Sequence, residues 1–335
     1  MPGMTQNPVP DDPASAPADF KDRRTGLIVF GILTVFLGAL CALLVPLMVF
    51  GQSLARSAGG PGAAGAPPSL LPAIVTYGGL AVVLIWLGIG SMLARRWARA
   101  LILIFGWCCL TLGVVSMAAM ILVLPSLLRL SPSPGRPALP AGAETAIMVG
   151  ALLFLGFFLV LIPGVWVWFF GSRHVKATCE ARNPQPSWTD ACPLPVLAVS
   201  LWLGLSVPGM LISLLSYRAV LPVFGVVLTG PAAILGTAGM VLVWALAARW
   251  MYRVDVRGWW LVVGVFLLFG ISNFITYSRL DMAAIVGQMG LPESQVDSMK
   301  QIPWLSGGAL RWITSGFMVP ILAYLIAIRR YFRPW

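Results

Sequence analysis

The sequence predicts an all-α polytopic membrane protein, a transmembrane helical bundle of about eight spans. Of the 335 residues, 59% are hydrophobic and only 10% are charged, and the mean hydropathy is +0.90. A soluble domain carries roughly a quarter charged residues, and a soluble chain this apolar would expose larger patches than water tolerates. The apolar residues also fall into eight uncharged runs, separated by short cationic turns or by loops rich in Pro and Gly.

Each of the eight runs is long enough to cross the hydrocarbon core as a helix, which takes roughly 20 residues, with a range of about 17–25. The runs are Gly26–Phe50, Leu71–Ala94, Ala100–Leu124, Thr145–Phe170, Leu194–Ser216, Ala219–Ala248, Gly258–Ser278 and Trp312–Ile328. The last run is the shortest, and the arginines at its two ends can extend to the interfaces. A closed β-barrel is disfavoured, because its strands would be short and would alternate apolar with polar residues.

The distribution of Lys and Arg predicts the orientation of the spans. In an eight-span arrangement, 15 of the 22 cations fall in the two tails and the even-numbered loops, and seven fall in the odd-numbered loops. The positive-inside rule then places both termini in the cytoplasm. The segment "ARRWARA", which contains Arg95, Arg96 and Arg99, becomes a short cytoplasmic turn between the second and third spans.

The chain divides into four regions. Residues 1–24 are rich in Pro, Ala and Asp, lack the cationic start of a signal peptide and are predicted to be a disordered tail. Residues 25–171 and 194–335 are predicted to hold four spans each. A polar cytoplasmic link, residues 172–193, lies between the two halves.

The two halves show a weak internal similarity. Paired spans start 168, 148, 158 and 167 residues apart, and "WLGIGSMLARRWARALILIFGW" is similar to "WALAARWMYRVDVRGWWLVVGV". An even number of spans in each half would give two parallel repeats. The alternative is chance similarity between apolar hairpins that are bounded by arginine.

The segments "GSMLARRWARALILIFGW" and "HVKATCEARNPQPSWTDACPLPVLAVSLWL", residues 90–107 and 174–203, resemble segments of uncharacterised multi-pass membrane proteins of bacteria. The resemblance implies a multi-pass location in a bacterial cytoplasmic (inner) membrane. It implies no activity, and no functional residue follows from it.

Every Asp, Glu, Lys and Arg lies outside the eight runs. Ionisable groups inside the membrane mark proton relays and ion-coupled carriers, so the pattern argues against such a carrier and against an intramembrane aspartyl protease. The net charge of +11 predicts contact with the lipid bilayer and not with nucleic acid, because the cations flank the spans and form no recognised nucleic-acid motif. "GPGAAG", residues 60–65, follows no strand and predicts a flexible linker.

The link contains the candidate metal ligands His174, Cys179 and Cys192, in the spacing H-x4-C-x12-C. Zinc would need a fourth ligand, for which Asp190 or water would serve. Paired CxxC motifs are missing from the sequence, and no cofactor or catalytic residue is predicted. A zinc-dependent or lipid-modifying enzyme that uses these three residues is one hypothesis to be tested.

The sixth run is unusually long, with 30 residues between Arg218 and Arg249. As one helix it would span about 45 Å, against a core of about 30 Å. Gly230-Pro231 near its middle predicts a kink or break. Small residues recur on one predicted face of this helix: Gly225, Thr229, Ala232, Gly236 and Gly239. The stripe is typical of close helix packing, and the alternative is that the break lines a polar cavity.

A solute cavity would draw on polar residues at matching depth in other spans. The candidates are Tyr77, Thr229, Pro231, Asn273 and Thr276. The alternative is that Asn273 forms a hydrogen bond to a neighbouring helix.

The last external loop, within residues 279–308, predicts an amphipathic segment. Met282, Ile285, Val286 and Met289 follow helical spacing, and Pro292-Glu293 suits the start of a second short helix. The segment would lie on the outer leaflet or cap the bundle.

Two hypotheses for function follow from these patterns. The first is a non-enzymatic membrane component that acts through helix packing and through contact with another membrane protein or with a second copy of itself. The second is a facilitator or channel for a small neutral or amphiphilic solute.

Overall fold

The structure, a computed structural model, describes residues 21–57, 70–129, 142–216, 219–288, 296–297, 300 and 305–332. Eight of the described helices are long and apolar enough to cross a membrane. The prediction of a multi-pass helical membrane protein is confirmed at this level.

The first half contains four spans that pack as two pairs. Its elements are α1 (Arg24–Ser57), α2 (Leu71–Met92), α3 (Arg96–Arg129), α4 (Ala143–Leu155), a π-helical segment (Gly156–Leu161) and α5 (Ile162–Gly171). The last three are continuous and form the fourth span. α1 packs on α2, and α3 packs on the fourth span.

The link folds into ordered elements, and the second half again packs as two pairs. These elements are α6 (Arg173–Arg182), a 3-10 turn (Trp188–Ala191), α7 (Leu194–Ser216), α8 (Gly230–Tyr252), α9 (Val256–Arg279), α10 (Met282–Gln288), α11 (Gly307–Ile328) and a closing 3-10 turn (Arg329–Tyr331). α7 packs on α8, and α9 packs on α11. α6 begins at a serine cap, since the Ser172 hydroxyl accepts a hydrogen bond from the Val175 amide at 3.3 Å.

Residues 220–229 of the sixth run form a β-hairpin, a local exception to the helical fold, and the kink or break predicted at Gly230-Pro231 is a break between this hairpin and α8. β1 (Val220–Val223) pairs antiparallel with β2 (Val226–Thr229). Phe224 and Gly225 at the tip have φ of 51° and 81°, as a two-residue turn of type I′ requires. The run is uniformly apolar, and periodicity alone does not separate a short buried strand from a helix in such a run.

The hairpin changes what the small residues of this region do. α8 starts at Gly230 with Pro231 in its first turn, a position that proline favours. Its 23 residues span about 35 Å, which matches the hydrocarbon core better than the predicted helix. Gly236 lies against β1, because a Cβ there would be 2.7 Å from Leu221 Cδ2. The predicted five-residue stripe is therefore divided between the hairpin and α8.

Each half has its own apolar core among the described residues. The first core centres on Leu27, Leu84, Leu87, Ile102, Trp166 and Phe170. The second centres on Val196, Leu197, Leu203, Met251, Trp259 and Val262, and it also includes Ile104 of α3. The halves therefore meet along α7, which contacts α2 and α3.

α1 and α2 approach so closely that their backbones touch. A Cβ on Gly88 would lie 2.6 Å from the Gly31 carbonyl oxygen. The Ser91 hydroxyl donates to the Leu27 carbonyl at 3.0 Å across the same interface. Small residues permit this contact, as in other membrane helix pairs.

The α2–α3 and α8–α9 turns have the same backbone conformation. Ala94 and Val254 both have positive φ, of 51° and 55°. The amides of corresponding residues close the two turns in the same way: Ala94 to Ser91 (2.9 Å), Arg95 to Gly90 (2.9 Å), Val254 to Met251 (2.9 Å) and Asp255 to Trp250 (3.0 Å).

Candidate functional site

A polar cavity of about 330 Å³ opens beside the start of α3, and we call it the basic cavity. Its charged and hydroxyl lining comes from three elements: Arg96 and Arg99 of α3, Lys176 and Glu180 of α6, and Thr189 and Asp190 of the 3-10 turn. The cavity therefore forms where the α2–α3 turn meets the link.

Local structure aims these side chains into the cavity. Arg96 and Arg99 are three residues apart at the start of α3 and so lie on one helix face. Asp190 is fixed by a capping box, in which its carboxylate accepts a hydrogen bond from the Ser187 amide at 2.8 Å. The same carboxylate faces Arg96 at 3.6 Å.

The charges in the basic cavity do not balance. Arg96 faces Asp190, and Lys176 faces Glu180 at 3.8 Å, one turn along α6. Arg99 has no carboxylate within 4.0 Å in the part of the chain that the structure describes. The Nε atoms of Arg96 and Arg99 are buried and have no hydrogen-bond partner. Among the described residues, Arg99 is thus the cation of this cavity without an ion-pair partner.

The two cysteines of the link also line the basic cavity. Cys179 and Cys192 are 1% and 4% exposed. Burial raises the pKa of each thiol to about 11. Both are therefore protonated at neutral pH, and a protonated thiol is neither a strong nucleophile nor a ready metal ligand.

His174 lies outside the basic cavity. Its Nδ1 accepts a hydrogen bond from the Lys21 amide at 3.4 Å, so it faces the segment that precedes α1. The structure thus brings Cys179 and Cys192 to one cavity without His174. Among the described residues, no group of three or more His, Cys, Asp or Glu side chains is placed to hold a metal ion.

The segment that precedes α1 is attached to α6. Asp22 forms an ion pair with Arg182 at 2.8 Å, and the Arg23 amide donates to the Thr178 hydroxyl at 3.1 Å. The hydrogen bond from Arg182 lowers the pKa of the Asp22 carboxyl.

The second half reaches the same cluster of segments. The Tyr252 hydroxyl, at the end of α8, donates to the Trp188 carbonyl of the link at 2.9 Å. At the end of α11, the Arg329 guanidinium lies 5.2 Å from the ring centre of Trp259 in α9. Contacts therefore join the five cation-rich parts of the chain, which we call the basic platform: residues 21–24, 93–99, 172–193, 249–257 and 329–332.

The candidates for a solute cavity lie in different surroundings. Tyr77 is half-buried on α2, which packs on α1. Thr229 is the last residue of β2, and Pro231 is the second residue of α8; both are exposed. Asn273 is half-buried on α9.

Thr276 forms a hydrogen bond with the hairpin. Its hydroxyl is buried and accepts a hydrogen bond from the Gly225 amide at 3.0 Å, and Ser272 accepts from the Phe224 amide at 3.0 Å. The tip of the hairpin thus seats on α9 through two hydroxyl groups. Thr276 has a structural partner, and the sequence analysis missed it because the hairpin itself was not predicted.

A second cavity, of about 280 Å³, lies between α9 and α11. It is mostly apolar, with Phe266, Gly270, Phe274 and Met318 in its wall and Ser315 as its hydroxyl. Of the five solute-cavity candidates, all of them described residues, none lines this cavity or the basic cavity.

The amphipathic segment packs on the hairpin where the structure describes it. α10 contacts β1, and Ile285 and Val286 of its apolar face are buried. Met289 and the start of the second predicted helix, Pro292-Glu293, lie outside the described residues.

Sequence analysis singled out both sources of the basic cavity but did not bring them together. The arginine turn predicted orientation, and the link predicted a metal site. The signal that connects them is the positive-inside rule, because it places both on one side of the membrane.

No protein-family model, no curated protein and no solved structure matches this chain. The functional proposal therefore depends on the geometry described above.

Proposed function

We propose that this protein is a non-enzymatic component of a bacterial cytoplasmic membrane that binds a protein partner through its basic platform. The observation that carries the proposal is the set of contacts between distant segments at this one end of the bundle. Asp22 with Arg182, Arg96 with Asp190, and Tyr252 with the Trp188 carbonyl each join parts of the chain that are far apart in sequence. An ordered surface of this kind suits docking.

The charge of the basic platform indicates the chemistry of the partner. Ten of its arginines are exposed: Arg23, Arg24, Arg95, Arg173, Arg182, Arg249, Arg253, Arg257, Arg329 and Arg330. Electrostatic complementarity favours a partner with an acidic surface, which is either another membrane protein or an acidic part of a second copy.

We further propose that both termini are cytoplasmic and that the halves are parallel repeats. The cation count and the shared position of all five cation-rich segments support the orientation. The matching backbone of the α2–α3 and α8–α9 turns supports the duplication, as do the proline-started second spans, α2 and α8.

Native mass spectrometry after extraction in a mild detergent tests the proposal. We expect the wild-type protein to retain a partner or a second copy. In Arg253→Glu the fraction of protein with a bound partner should fall at least tenfold, and in Arg279→Glu it should stay at the wild-type level. Arg279 is a matched control, since it is an exposed arginine at the opposite end of α9. A wild-type protein found only as a free monomer would contradict the proposal.

The facilitator hypothesis is the second candidate, and the half-buried amide of Asn273 favours it. If it were correct, the purified protein alone would carry a neutral solute such as glycerol into liposomes, and Asn273→Ala would abolish the flux. We expect the flux to equal that of empty liposomes. Protein-dependent flux that the Asn273 variant loses would replace the partner-binding proposal.

A further inference from the structure

The basic cavity contains a half-buried cation, Arg99, that has no carboxylate of the described residues within 4.0 Å. Arg96, Arg99 and Lys176 supply three positive charges, and Glu180 and Asp190 supply two negative charges. Both carboxylates are engaged with the other two cations, at 3.6 Å and 3.8 Å. Arg99 is left over.

Unpaired hydrogen-bond donors add to the cost of these charges in the free protein. The Nε–H groups of Arg96 and Arg99 are buried, and neither has an acceptor. A buried donor without an acceptor costs about 1–3 kcal/mol, and more when the group is charged. These two unpaired donors therefore add to the cost of holding the guanidinium groups beside the cavity, and a bound anion would offset that cost through their charge.

The donors define the ligand by class. Guanidinium groups present planar forks of N–H donors, which match the oxygens of phosphate and carboxylate groups. Arg96 also opens α3, a helix of 34 residues, whose first-turn amides and dipole favour negative charge. Phosphate fits this combination best, because anion binding at helix starts and arginine forks both suit its several oxygens.

The size and place of the cavity agree with a phosphate group that carries further atoms. Its volume of about 330 Å³ falls within the range of about 300–1,000 Å³ that is common for small-molecule sites. It opens at the start of a membrane span, where the headgroups of lipids lie. Glu180 and Asp190 on its wall restrain the total negative charge that it accepts.

We propose that the basic cavity binds a phosphate group through Arg96 and Arg99, with Lys176 at its rim. The group belongs either to the headgroup of an anionic phospholipid or to a free phosphate compound. The cavity binds phosphate whether or not the basic platform has a protein partner.

Binding by purified protein in detergent tests the proposal with two probes. Native mass spectrometry with added phosphatidylglycerol measures lipid binding, and isothermal titration with inorganic phosphate measures binding of the free anion. We expect wild-type protein to bind at least one probe and Arg99→Gln to bind it at least tenfold more weakly, as the loss of a charge-assisted hydrogen bond predicts.

Arg95→Gln is the matched control. Arg95 belongs to the same turn and carries the same charge, but it is exposed and does not line the basic cavity. We expect its affinity to stay within twofold of wild type. Equal losses in Arg95→Gln and Arg99→Gln would overturn the proposal in favour of nonspecific surface charge, and the absence of binding by either probe would also overturn it.

Two further variants guard against loss of the fold. Lys176→Gln changes a side chain that is 60% exposed, so it leaves packing intact, and we expect two- to threefold weaker binding. Arg99→Lys keeps the charge but loses the fork, and we expect affinity between those of wild type and Arg99→Gln. Unchanged affinity in Lys176→Gln and Arg99→Lys together would overturn the assignment to this cavity.

The two probes identify the source of the phosphate. Binding of phosphatidylglycerol with the predicted variant pattern, without binding of inorganic phosphate, assigns a lipid headgroup. The reverse result assigns a free phosphate compound. Either result supports the cavity, and neither depends on the partner that native mass spectrometry of the wild-type protein detects.

Discussion

The α2–α3 turn and the α8–α9 turn share a backbone and differ in what their side chains contact. The residue 160 positions after Arg99 is Trp259. Trp259 is 4% exposed, and its indole Nε1–H donates to the Leu325 carbonyl at 2.8 Å. Arg329 covers its ring at 5.2 Å. Arg99, by contrast, lines an open cavity and has no carboxylate of the described residues within 4.0 Å.

The helix pairs that precede these two turns, α1–α2 and α7–α8, differ in how closely their helices approach at glycine. α1 and α2 meet through glycine, since a Cβ on Gly88 would also lie 2.9 Å from the Val35 amide nitrogen. In α7, a Cβ on Gly204 or Gly209 would meet nothing within 4 Å. The α1–α2 pair is therefore held by a close contact at glycine, and in the second half Trp259 packs between α9 and α11.

This contrast separates a structural position from a binding position in one local fold. A buried aromatic ring with a satisfied N–H group stabilises the helices around it. A half-buried guanidinium without a close carboxylate costs free energy in the free protein, and a bound anion would compensate that cost. Three predictions test the contrast, beginning with the largest expected effect.

Trp259→Ala should give the largest loss of stability. It removes a buried ring and leaves the Leu325 carbonyl without its donor, so we expect a loss of about 3 kcal/mol. Unfolding in mixed micelles measures it. Trp260→Ala is the control, because that neighbour is 57% exposed and should cost under about 1 kcal/mol. Equal losses in the two variants would remove the structural role assigned to Trp259.

Gly88→Ala should have the next largest effect. The added methyl group would collide with α1 at the Gly31 carbonyl, and overpacking of this kind costs about 1–3 kcal/mol. Gly204→Ala in α7 makes the same chemical change where nothing lies within 4 Å, and should alter stability by about 0.5 kcal/mol or less. The same unfolding assay compares the two, and a more stable Gly88→Ala protein would contradict the close packing of α1 and α2.

The thiols beside Arg99 should show the smallest effect, as a dependence on pH. The pKa of Cys179 and of Cys192 is about 11 in the folded protein, against an ordinary 9.0. Burial thus disfavours the thiolate, so the associated stability is complete below pH 9 and is lost as the pH rises toward 11. At pH 8 we expect both thiols to react with iodoacetamide about 100-fold more slowly than in denatured protein.

Peptide mapping by mass spectrometry resolves the two cysteines, and the Cys179→Ala and Cys192→Ala variants identify each signal. Fast alkylation of Cys179 at pH 7.5 would show a stabilised thiolate. That result would return the link to the hypothesis of a metal site or a nucleophile.

Sequence predicted most of the span architecture because long uncharged runs leave few alternatives in lipid. It failed in the run that begins at Ala219. Valine and leucine there are compatible with a strand and with a helix, and the hairpin is held by tertiary contacts such as those with Ser272 and Thr276. Tertiary contacts decided this element, so its local pattern did not reveal it.

The candidate site was predictable in its parts and not in its assembly. The arginines of α3 and the acidic and cysteine residues of the link were each singled out from sequence. Their convergence depends on α6 folding back onto the start of α3, a long-range contact that no local spacing encodes. The metal hypothesis also depended on His174, whose partner is the Lys21 amide.

The link has a mechanical consequence for the whole bundle. It is tied to the first half through Asp190 and Arg96, and to the second half through the Trp188 carbonyl and Tyr252. A rocking motion of one half against the other, such as alternating access requires, would have to break these two contacts of the link. The two halves are therefore expected to move as one body at the cationic end. Any separation of the halves would then occur at the other end of the bundle, where the hairpin lies.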